Sequence, residues 1–450
     1  MRTRLRYGLL IIGLLINSGC TATPTSPPLE PAPLEPVSTE PASFPSELPE
    51  VISISSPKPR LLVPNTSQQD LQELVNGNNR FAFDLYQTIR DFDGNLFYSP
   101  YSISLALAMT YAGARGQTAS QMVETLHFLL PPERLHPAFN QLDLTLHSRG
   151  KNISEESGKG FTLNIVNALW GQDGYAFFAE FLDLLAENYG AGLRLVDFVN
   201  EPESSRLLIN DWVLEQTHDR IKDLIPEGVI TDLTRLVLAN AIYFQADWSS
   251  PFEKGLTHDG QFSLLDGSKV SVPMMNQTVA YNYTRGQDFQ ALELPYLGYE
   301  MSMVILHPDP AHFIEFEKDL DAGQLETIVA QLESTDLQLS MPKFEYEMNL
   351  PLAKVLQDMG IEDAFKLELA DFSGMDGRKE LYIQDVLHKA FVAVDEKGTE
   401  AAAATAIVVG VESAPVEQTS VKIDSPFIFL IRDMETGSIL FLGRVLNPLP

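Results

Sequence analysis

One segment near the C-terminus, residues 396–409, limits what this chain can fold into. It reads Glu-Lys-Gly-Thr-Glu, then four alanines, then Thr-Ala-Ile-Val-Val, with no charge between Glu400 and Glu412 and no proline before Pro415. Surface loops are rich in glycine, proline, asparagine and aspartate, whereas β-branched residues favour strands. The composition therefore predicts a segment that can exist both as a loop and as a strand of a sheet.

An alanine-rich helix is the alternative for this segment, because alanine is the best helix former. In a strand, alternate side chains share a face. One face would carry Thr399, Ala401, Ala403, Thr405, Ile407 and Val409, and the other would carry Glu400, Ala402, Ala404, Ala406 and Val408. The first face is uncharged, as burial requires, and a charge at its leading position, Thr399, would resist insertion.

Composition limits the partners and the chemistry of the chain. With 450 residues, 44% of them hydrophobic, it can bury a large core, and its single cysteine, Cys20, excludes an intramolecular disulfide. The net charge of −30 argues against nucleic acid, heparin-like polyanions and anionic lipid surfaces as partners.

The first twenty residues have the pattern of an export signal. Three arginines are followed by an apolar run over residues 9–16, which is too short to span a membrane, and then by Ser18-Gly19-Cys20. The small pair before Cys20 resembles the bacterial lipoprotein cleavage box, which implies lipidation of this cysteine. Ordinary signal cleavage and an uncleaved anchor stay open. The expected location is the cell envelope, as a lipoprotein, or the extracellular space.

Residues 21–64 differ in composition from the rest of the chain. They hold twelve of the 29 prolines, and serine, threonine and glutamate lie between them. Such a segment is typical of an extended, semi-rigid spacer or of a disordered leader. A globular domain is expected over residues 65–450.

The pattern of the domain indicates the α+β class. Helices and strands occur in unequal clusters, without regular βα alternation. The predicted helices cover residues 68–89, 102–111, 118–126, 132–149, 178–189 and 203–217. The predicted strands lie at 161–170, 234–244, 291–294, 301–306, 337–341, 381–394 and 428–442.

Catalytic, metal and cofactor motifs are absent from the sequence. It has no G-x-S-x-G elbow, H-E-x-x-H helix, Walker A loop or Rossmann glycine pattern. His307 and His312, the closest histidine pair, flank a proline-rich turn and are expected in a surface loop. The protein is not expected to be an enzyme or to need a cofactor.

Several segments together resemble the serpins. Residues 95–104 read Asn-Leu-Phe-Tyr-Ser-Pro-Tyr-Ser-Ile-Ser, and residues 109–118 read Met-Thr-Tyr-Ala-Gly-Ala-Arg-Gly-Gln-Thr. Further matching segments are 234–244 with Trp248, 272–275, 292–296, 388–391, 396–404 and 424–429. The resemblance covers essentially all of residues 65–450. It implies a monomer with three mainly antiparallel β-sheets, eight or nine helices and an exposed reactive-centre loop.

The resemblance also implies a function, the inhibition of serine-type endopeptidases by a suicide-substrate mechanism. The protease is acylated by the loop, and residues of about 396–410 then insert into the central sheet and trap the covalent complex. Cysteine proteases are further possible targets, because trapping requires only an acyl-enzyme. The alternative is a non-inhibitory serpin-fold binding protein tethered to the cell envelope. The hinge favours inhibition, since the face that insertion would bury is uncharged and small at its leading end, where non-inhibitory relatives tend to have bulky, charged or proline residues.

The resemblance assigns roles to individual residues. Lys343, Trp248 and the hinge residue Glu396 would form the breach at the top of the sheet, with an ion pair between Lys343 and Glu396. The shutter, a buried hydrogen-bonded cluster, would comprise Ser99, Ser102, Asn240 and His388, which otherwise read as core or cap residues. The remaining hinge residues are Gly398, Thr399, Glu400, Ala401, Ala402, Ala403 and Ala404. We expect glycine at 398 to supply backbone freedom.

The bond that a protease would cut is predicted by the usual serpin spacing. Counted from Glu396 as the first residue, the seventeenth position gives Glu412-Ser413. Cleavage there implies a glutamate-preferring protease. Cleavage after Val411 or Val409 stays open and implies an elastase-like protease.

Overall fold

The computed structural model of the protein describes residues 51–151, 153, 161–399 and 419–449, and two β-sheets with surrounding helices make up this part. The ten α-helices of these residues are α1 (Gln68–Ile89), α2 (Pro100–Tyr111), α3 (Gly116–Thr125), α4 (Pro132–Ser148), α5 (Ala179–Tyr189), α6 (Pro202–Gln216), α7 (Phe313–Asp319), α8 (Ala322–Ala330), α9 (Leu352–Met359) and α10 (Ser373–Asp376).

The strands of the same residues follow the chain in this order. They are β1 (Ile52–Ile54), β2 (Leu96–Tyr98), β3 (Thr162–Gln172), β4 (Leu193–Val196), β5 (Leu236–Asp247), β6 (His258–Ser263), β7 (Lys269–Arg285), β8 (Phe289–Pro295), β9 (Met301–Pro308), β10 (Glu333–Pro342), β11 (Phe344–Pro351), β12 (Ile383–Val394), β13 (Gly398–Thr399), β14 (Thr419–Lys422), β15 (Phe427–Asp433) and β16 (Ile439–Val445). The α+β class is thereby confirmed.

The first sheet has the order β1-β4-β3-β5-β13-β12-β11. Its central contact, which we call the seam, is the parallel pairing of β5 with β12, from Leu236 opposite Ile383 to Ile242 opposite Ala390. At the end of the seam the two strands separate, and β13 lies between them. The sheet is therefore closed along most of the seam and open at one end.

The second sheet has the order β14-β10-β7-β8-β9-β15-β16-β2, with β6 paired to β7. The resemblance predicts three sheets, whereas the described strands form two hydrogen-bonded networks. The reason is β7, whose 17 residues pair with β6 at one end, with β10 in the middle and with β8 at the other end. This long strand joins what would otherwise be two separate sheets. The helix count exceeds the expected eight or nine because α10 has only four residues.

Helix α2 lies in the core, where it contacts β3 and β5 of the first sheet and β16 of the second. All twelve of its residues are buried, as expected of a helix that is apolar on every side. Ser99 caps it, because its hydroxyl accepts the amide of Ser102, and Pro100 occupies the first turn, where no amide donor is needed. The start of α2 is thereby held directly beneath the first sheet.

The end of the predicted 21–64 linker, from Val51 on, lies against the domain. Strand β1 pairs antiparallel with β4, and the Arg60 guanidinium binds Asn140 and Asp143 of α4. The residues before 51 lie outside the described part of the chain, so the boundary at 20 stays a prediction. The division at 64 stays a prediction as well. Across the described ranges no helix combines the length and the apolar character that crossing a bilayer requires.

Candidate functional site

A buried hydrogen-bonded cluster connects the two sides of the seam. Asn240 of β5 and His388 of β12 lie directly opposite each other, and the His388 Nδ1–H donates to Asn240 Oδ1. The other ring nitrogen, Nε2, accepts the amide of Ser99 at 3.1 Å, which places the proton on Nδ1. The Asn240 amide group donates to the hydroxyl and the carbonyl oxygen of Ser102, at 2.6 and 3.0 Å. The four residues predicted as the shutter therefore lie together.

This cluster carries no charge. All four side chains are fully buried, and burial lowers the pKa of His388 to about 3, so the imidazole is neutral at physiological pH. The cluster has a fifth member, Asn167 of β3, which accepts a hydrogen bond from the Asn240 amide group and lies opposite Asn240 in register. Sequence reasoning missed Asn167, although a polar residue within the otherwise apolar segment 165–170 was a usable signal.

Two hinge residues, Gly398 and Thr399, already lie within the sheet. Thr399 pairs antiparallel with Val394 of β12 and with Ala246 of β5, and Gly398 pairs with Asp247. A tight turn leads into this pairing, because Asp395 donates its amide to the Gly398 carbonyl oxygen at 2.9 Å. The Asp395 carboxylate also accepts the Lys397 amide at 2.8 Å. Two residues of the loop are thus held between β5 and β12.

At Gly398 the structure shows a lack of space and not the backbone freedom that we expected. Its backbone does not adopt a positive φ, so the left-handed freedom of glycine is not used. A Cβ at this position would lie 2.8 Å from the Cα of Asp247 and still closer to the carbonyl oxygen of Ala246. The strands leave no room for any side chain here.

The predicted breach residues surround the start of the hinge. Lys343 Nζ lies 2.9 Å from Glu396 Oε2, and the Thr257 hydroxyl donates to Glu396 Oε1 at 2.8 Å. Burial alone would raise the pKa of Glu396, but the hydrogen bonds from Lys343 and Thr257 and the charge of Lys343 hold it below its usual value. Glu396 is therefore a buried carboxylate, 4% exposed, with its charge paired.

Trp248 fixes the same turn from the other side. Its indole Nε1–H donates to the Asp395 carbonyl oxygen at 3.0 Å, and its backbone amide donates to the Lys397 carbonyl oxygen at 2.6 Å. Its ring is stacked on Tyr296, with the ring centroids 4.6 Å apart. Sequence reasoning assigned no role to Tyr296, whose hydroxyl lies 2.7 Å from the Thr399 hydroxyl.

Some of the predicted site residues lie in parts of the chain that the structure does not describe. Glu400, Ala401, Ala402, Ala403, Ala404, Val409, Val411, Glu412, Ser413 and Cys20 lie outside the described residues. The hinge role of the alanines, the bond to be cut and the lipid attachment stay predictions. The expectation for His307 was wrong: this residue lies within β9, is 5% exposed and bonds to Ser425 through Nε2 at 2.7 Å.

Comparison with known proteins places the chain in a family. The family model "Serpin (serine protease inhibitor)" matches residues 76–448. An uncharacterized serpin-like protein of Thermococcus kodakarensis is 42% identical over 394 residues, which cover 86% of this chain and 89% of that protein. The human leukocyte elastase inhibitor is 38% identical over 390 residues, covering 84% of this chain and all of that protein.

A solved structure agrees with the sequence comparisons. The native-state structure of tengpin, a thermophilic serpin, superposes with a TM-score of 0.77 at 28% identity, covering 88% of this chain and 97% of that one. A two-sheet α+β fold with a sheet that opens beside a hinge defines the class of the protein. This chain belongs to the serpin family.

Proposed function

We propose that the protein inhibits serine-type endopeptidases as a suicide substrate. One observation carries the proposal: the hinge, Gly398–Thr399, is already paired with β5 on one side and β12 on the other. The residues that follow Thr399 would extend along the seam from this point. They are small and mostly apolar, which suits a strand buried within a sheet.

The chemistry proceeds in two stages. The protease serine attacks a loop carbonyl between residues 409 and 413, its Oγ forms an ester with that carbonyl carbon, and the peptide nitrogen leaves with a proton as a new amino terminus. The residues from 400 on, now free at their C-terminal end apart from the attached protease, would then join the sheet. Insertion carries the attached protease along the first sheet and distorts its active site before water can hydrolyse the ester.

Insertion exchanges one strand pairing for two. The parallel pairing of β5 with β12 is lost, and two antiparallel pairings form, one on each side of the new strand. A ten-residue strand adds on the order of ten hydrogen bonds beyond those it replaces, each contributing roughly 0.5–1.5 kcal/mol. This sum is comparable to the stability of a small domain, which is enough to distort a protease active site.

The seam must open for this exchange. The His388–Asn240 hydrogen bond crosses it, and an inserted strand would double the distance between β5 and β12 from about 4.8 Å. Because the cluster is neutral, its separation exposes no buried charge. This geometry supports the shutter role that we propose for these residues.

We further propose a class of target protease and a location for the protein. The net charge of −30 favours a basic protease as partner. The loop sequence favours cleavage at Glu412-Ser413 by a glutamate-preferring protease, or after Val411 or Val409 by an elastase-like one. The signal pattern before Cys20 supports action outside the cytoplasm, from a lipid anchor or in solution.

The test is incubation of the protein with a panel of serine and cysteine proteases of glutamate, elastase-like, trypsin-like and papain-like specificity. We expect a complex that survives SDS with at least one of them, and N-terminal sequencing of the released fragment will identify the cut bond. Cleavage of the loop by every protease tested without any SDS-stable complex would overturn the proposal. That outcome would favour a non-inhibitory binding protein.

A further inference from the structure

The hydroxyl groups of Tyr296 and Thr399 form a hydrogen bond that joins the two sheets. The oxygens are 2.7 Å apart, and both residues are buried, with Thr399 1% exposed and Tyr296 fully enclosed. Tyr296 directly follows β8 of the second sheet, whereas Thr399 belongs to the first sheet. The bond therefore connects the hinge to a part of the molecule outside the strands that insertion separates.

Tyr296 is held rigidly enough to fix its partner. Its ring is stacked on Trp248 with an interplanar angle of 6°, and Phe244 packs edge-on at 5.2 Å. Its amide donates to the Met301 carbonyl oxygen at 2.9 Å. Burial raises the pKa of Tyr296, so its hydroxyl keeps its proton at physiological pH.

The hydrogen bond acts on the two inserted residues themselves, whereas the contacts of Trp248 and Lys343 hold the turn that precedes them. Strand β13 has two residues, and the backbone of so short a strand contributes only a few hydrogen bonds to each neighbour. The Thr399 hydroxyl is the only polar side-chain group that these two residues contribute, because Gly398 has no side chain. Losing its partner would also leave a buried hydroxyl group unsatisfied.

We propose that Tyr296 is a positioning residue that keeps the hinge inserted by two residues before any protease binds. The inserted hinge sets the register of the incoming strand, and its first pairing is already formed. Strand insertion competes with hydrolysis of the acyl-enzyme, so a hinge already in place favours trapping over release. This proposal rests on the inhibitory function proposed above.

The test compares the wild-type protein with four single variants and with the double variant Tyr296→Phe/Thr399→Val. Tyr296→Phe keeps the stacking on Trp248 and removes only the hydroxyl, while Thr399→Val removes the partner group at similar volume. Thr399→Ser keeps a hydroxyl and should restore wild-type behaviour. Tyr86→Phe is the matched control, because it removes another buried tyrosine hydroxyl, which belongs to α1 and bonds to Glu317 at 2.7 Å.

The readout is the stoichiometry of inhibition, the moles of inhibitor consumed per mole of protease trapped. We expect the cleaved but untrapped fraction to rise about 2- to 12-fold in Tyr296→Phe and in Thr399→Val, the range that one neutral hydrogen bond supplies. The double variant should be no worse than either single variant, since both remove the same bond. An unchanged stoichiometry in Tyr296→Phe, or a loss of equal size in Tyr86→Phe, would overturn the proposal.

A second readout does not depend on any protease. Hydrogen–deuterium exchange of a peptide covering residues 395–399 should be slow in the wild-type protein and faster in Tyr296→Phe, but not in Tyr86→Phe. If this peptide exchanges at the rate of an open loop in the wild-type protein, the inserted hinge is wrong even if inhibition is observed. Slow exchange without any inhibition would instead retain the hinge contact and reject the inhibitory function.

Discussion

Replacing Gly398 with alanine is the sharpest perturbation that the structure offers. The added Cβ would meet backbone atoms, the Asp247 Cα at 2.8 Å and the still nearer Ala246 carbonyl oxygen. Backbone atoms of a central strand cannot move aside as a flexible side chain can. We therefore expect Gly398→Ala to force the hinge out of the space between β5 and β12.

The size of the effect follows from the cost of overpacking. Extra methyl groups in a filled site cost about 1–3 kcal/mol. At about 1.4 kcal/mol for each factor of ten, the inserted hinge would become about 5- to 150-fold less populated. The same steric conflict would oppose insertion after cleavage, so the variant should behave as a substrate more often than as an inhibitor.

Gly255→Ala provides the matched control for this variant. A Cβ at Gly255 would meet nothing closer than the Glu253 carboxylate at 3.5 Å, an ordinary contact. The assays are exchange of the peptide covering residues 395–399 and the stoichiometry of inhibition. If Gly398→Ala matches Gly255→Ala in both, the reasoning about space at the hinge is wrong.

Two further predictions concern charge. Lys343→Met removes the cation paired with the buried Glu396 carboxylate. In urea titrations the free energy of unfolding should fall by about 1–3 kcal/mol, less than for a fully buried pair because the Lys343 side chain is 35% exposed. Adding Glu396→Gln should recover part of the loss. Burial lowers the pKa of His136 and His307 to about 4 and that of His388 to about 3. Below about pH 6.5, the unfolded chain therefore binds more protons at these histidines than the folded protein does. Stability should therefore fall between about pH 6.5 and 4.5 in unfolding measurements, with His147, whose pKa is raised by Asp143, acting in the opposite sense. A flat profile across this range would contradict the prediction, as would a Lys343→Met protein of wild-type stability.

Local signals in the sequence predicted much of the fold. Helix α1 begins and ends where its periodicity predicts, and its apolar residues face the core. Its start is fixed by a capping box that Ser67 and Asp70 form. The predicted strand at 234–244 is buried on nearly its whole length, as its unbroken apolar run indicates. The α+β class follows from such elements, because each is determined by its own residues.

The parts that were missed depend on residues distant in the chain. Strand β7 contains no long apolar run, and different partners cover different parts of it. Strands β6 and β11 were missed because each pairs with a single neighbour and leaves most of its residues partly or fully exposed, so neither has an apolar run. Tyr296 and Thr399 are 103 positions apart, and nothing local marks their hydroxyl groups as partners. The Lys343–Glu396 pair was reached from the sequence only through family resemblance, because 53 residues separate the two charges.

One measurement, thermal unfolding before and after cleavage of the loop, directly tests the central claim that the loop can become a strand of the first sheet. The protein is cleaved once within residues 409–418, the cut is verified by N-terminal sequencing, and the thermal unfolding of cleaved and intact protein is compared. We expect the cleaved form to unfold about 10 °C or more above the intact form, because a new central strand adds hydrogen bonds and buried surface. Equal unfolding temperatures, or a lower one after cleavage, would contradict strand insertion and with it the proposed mechanism.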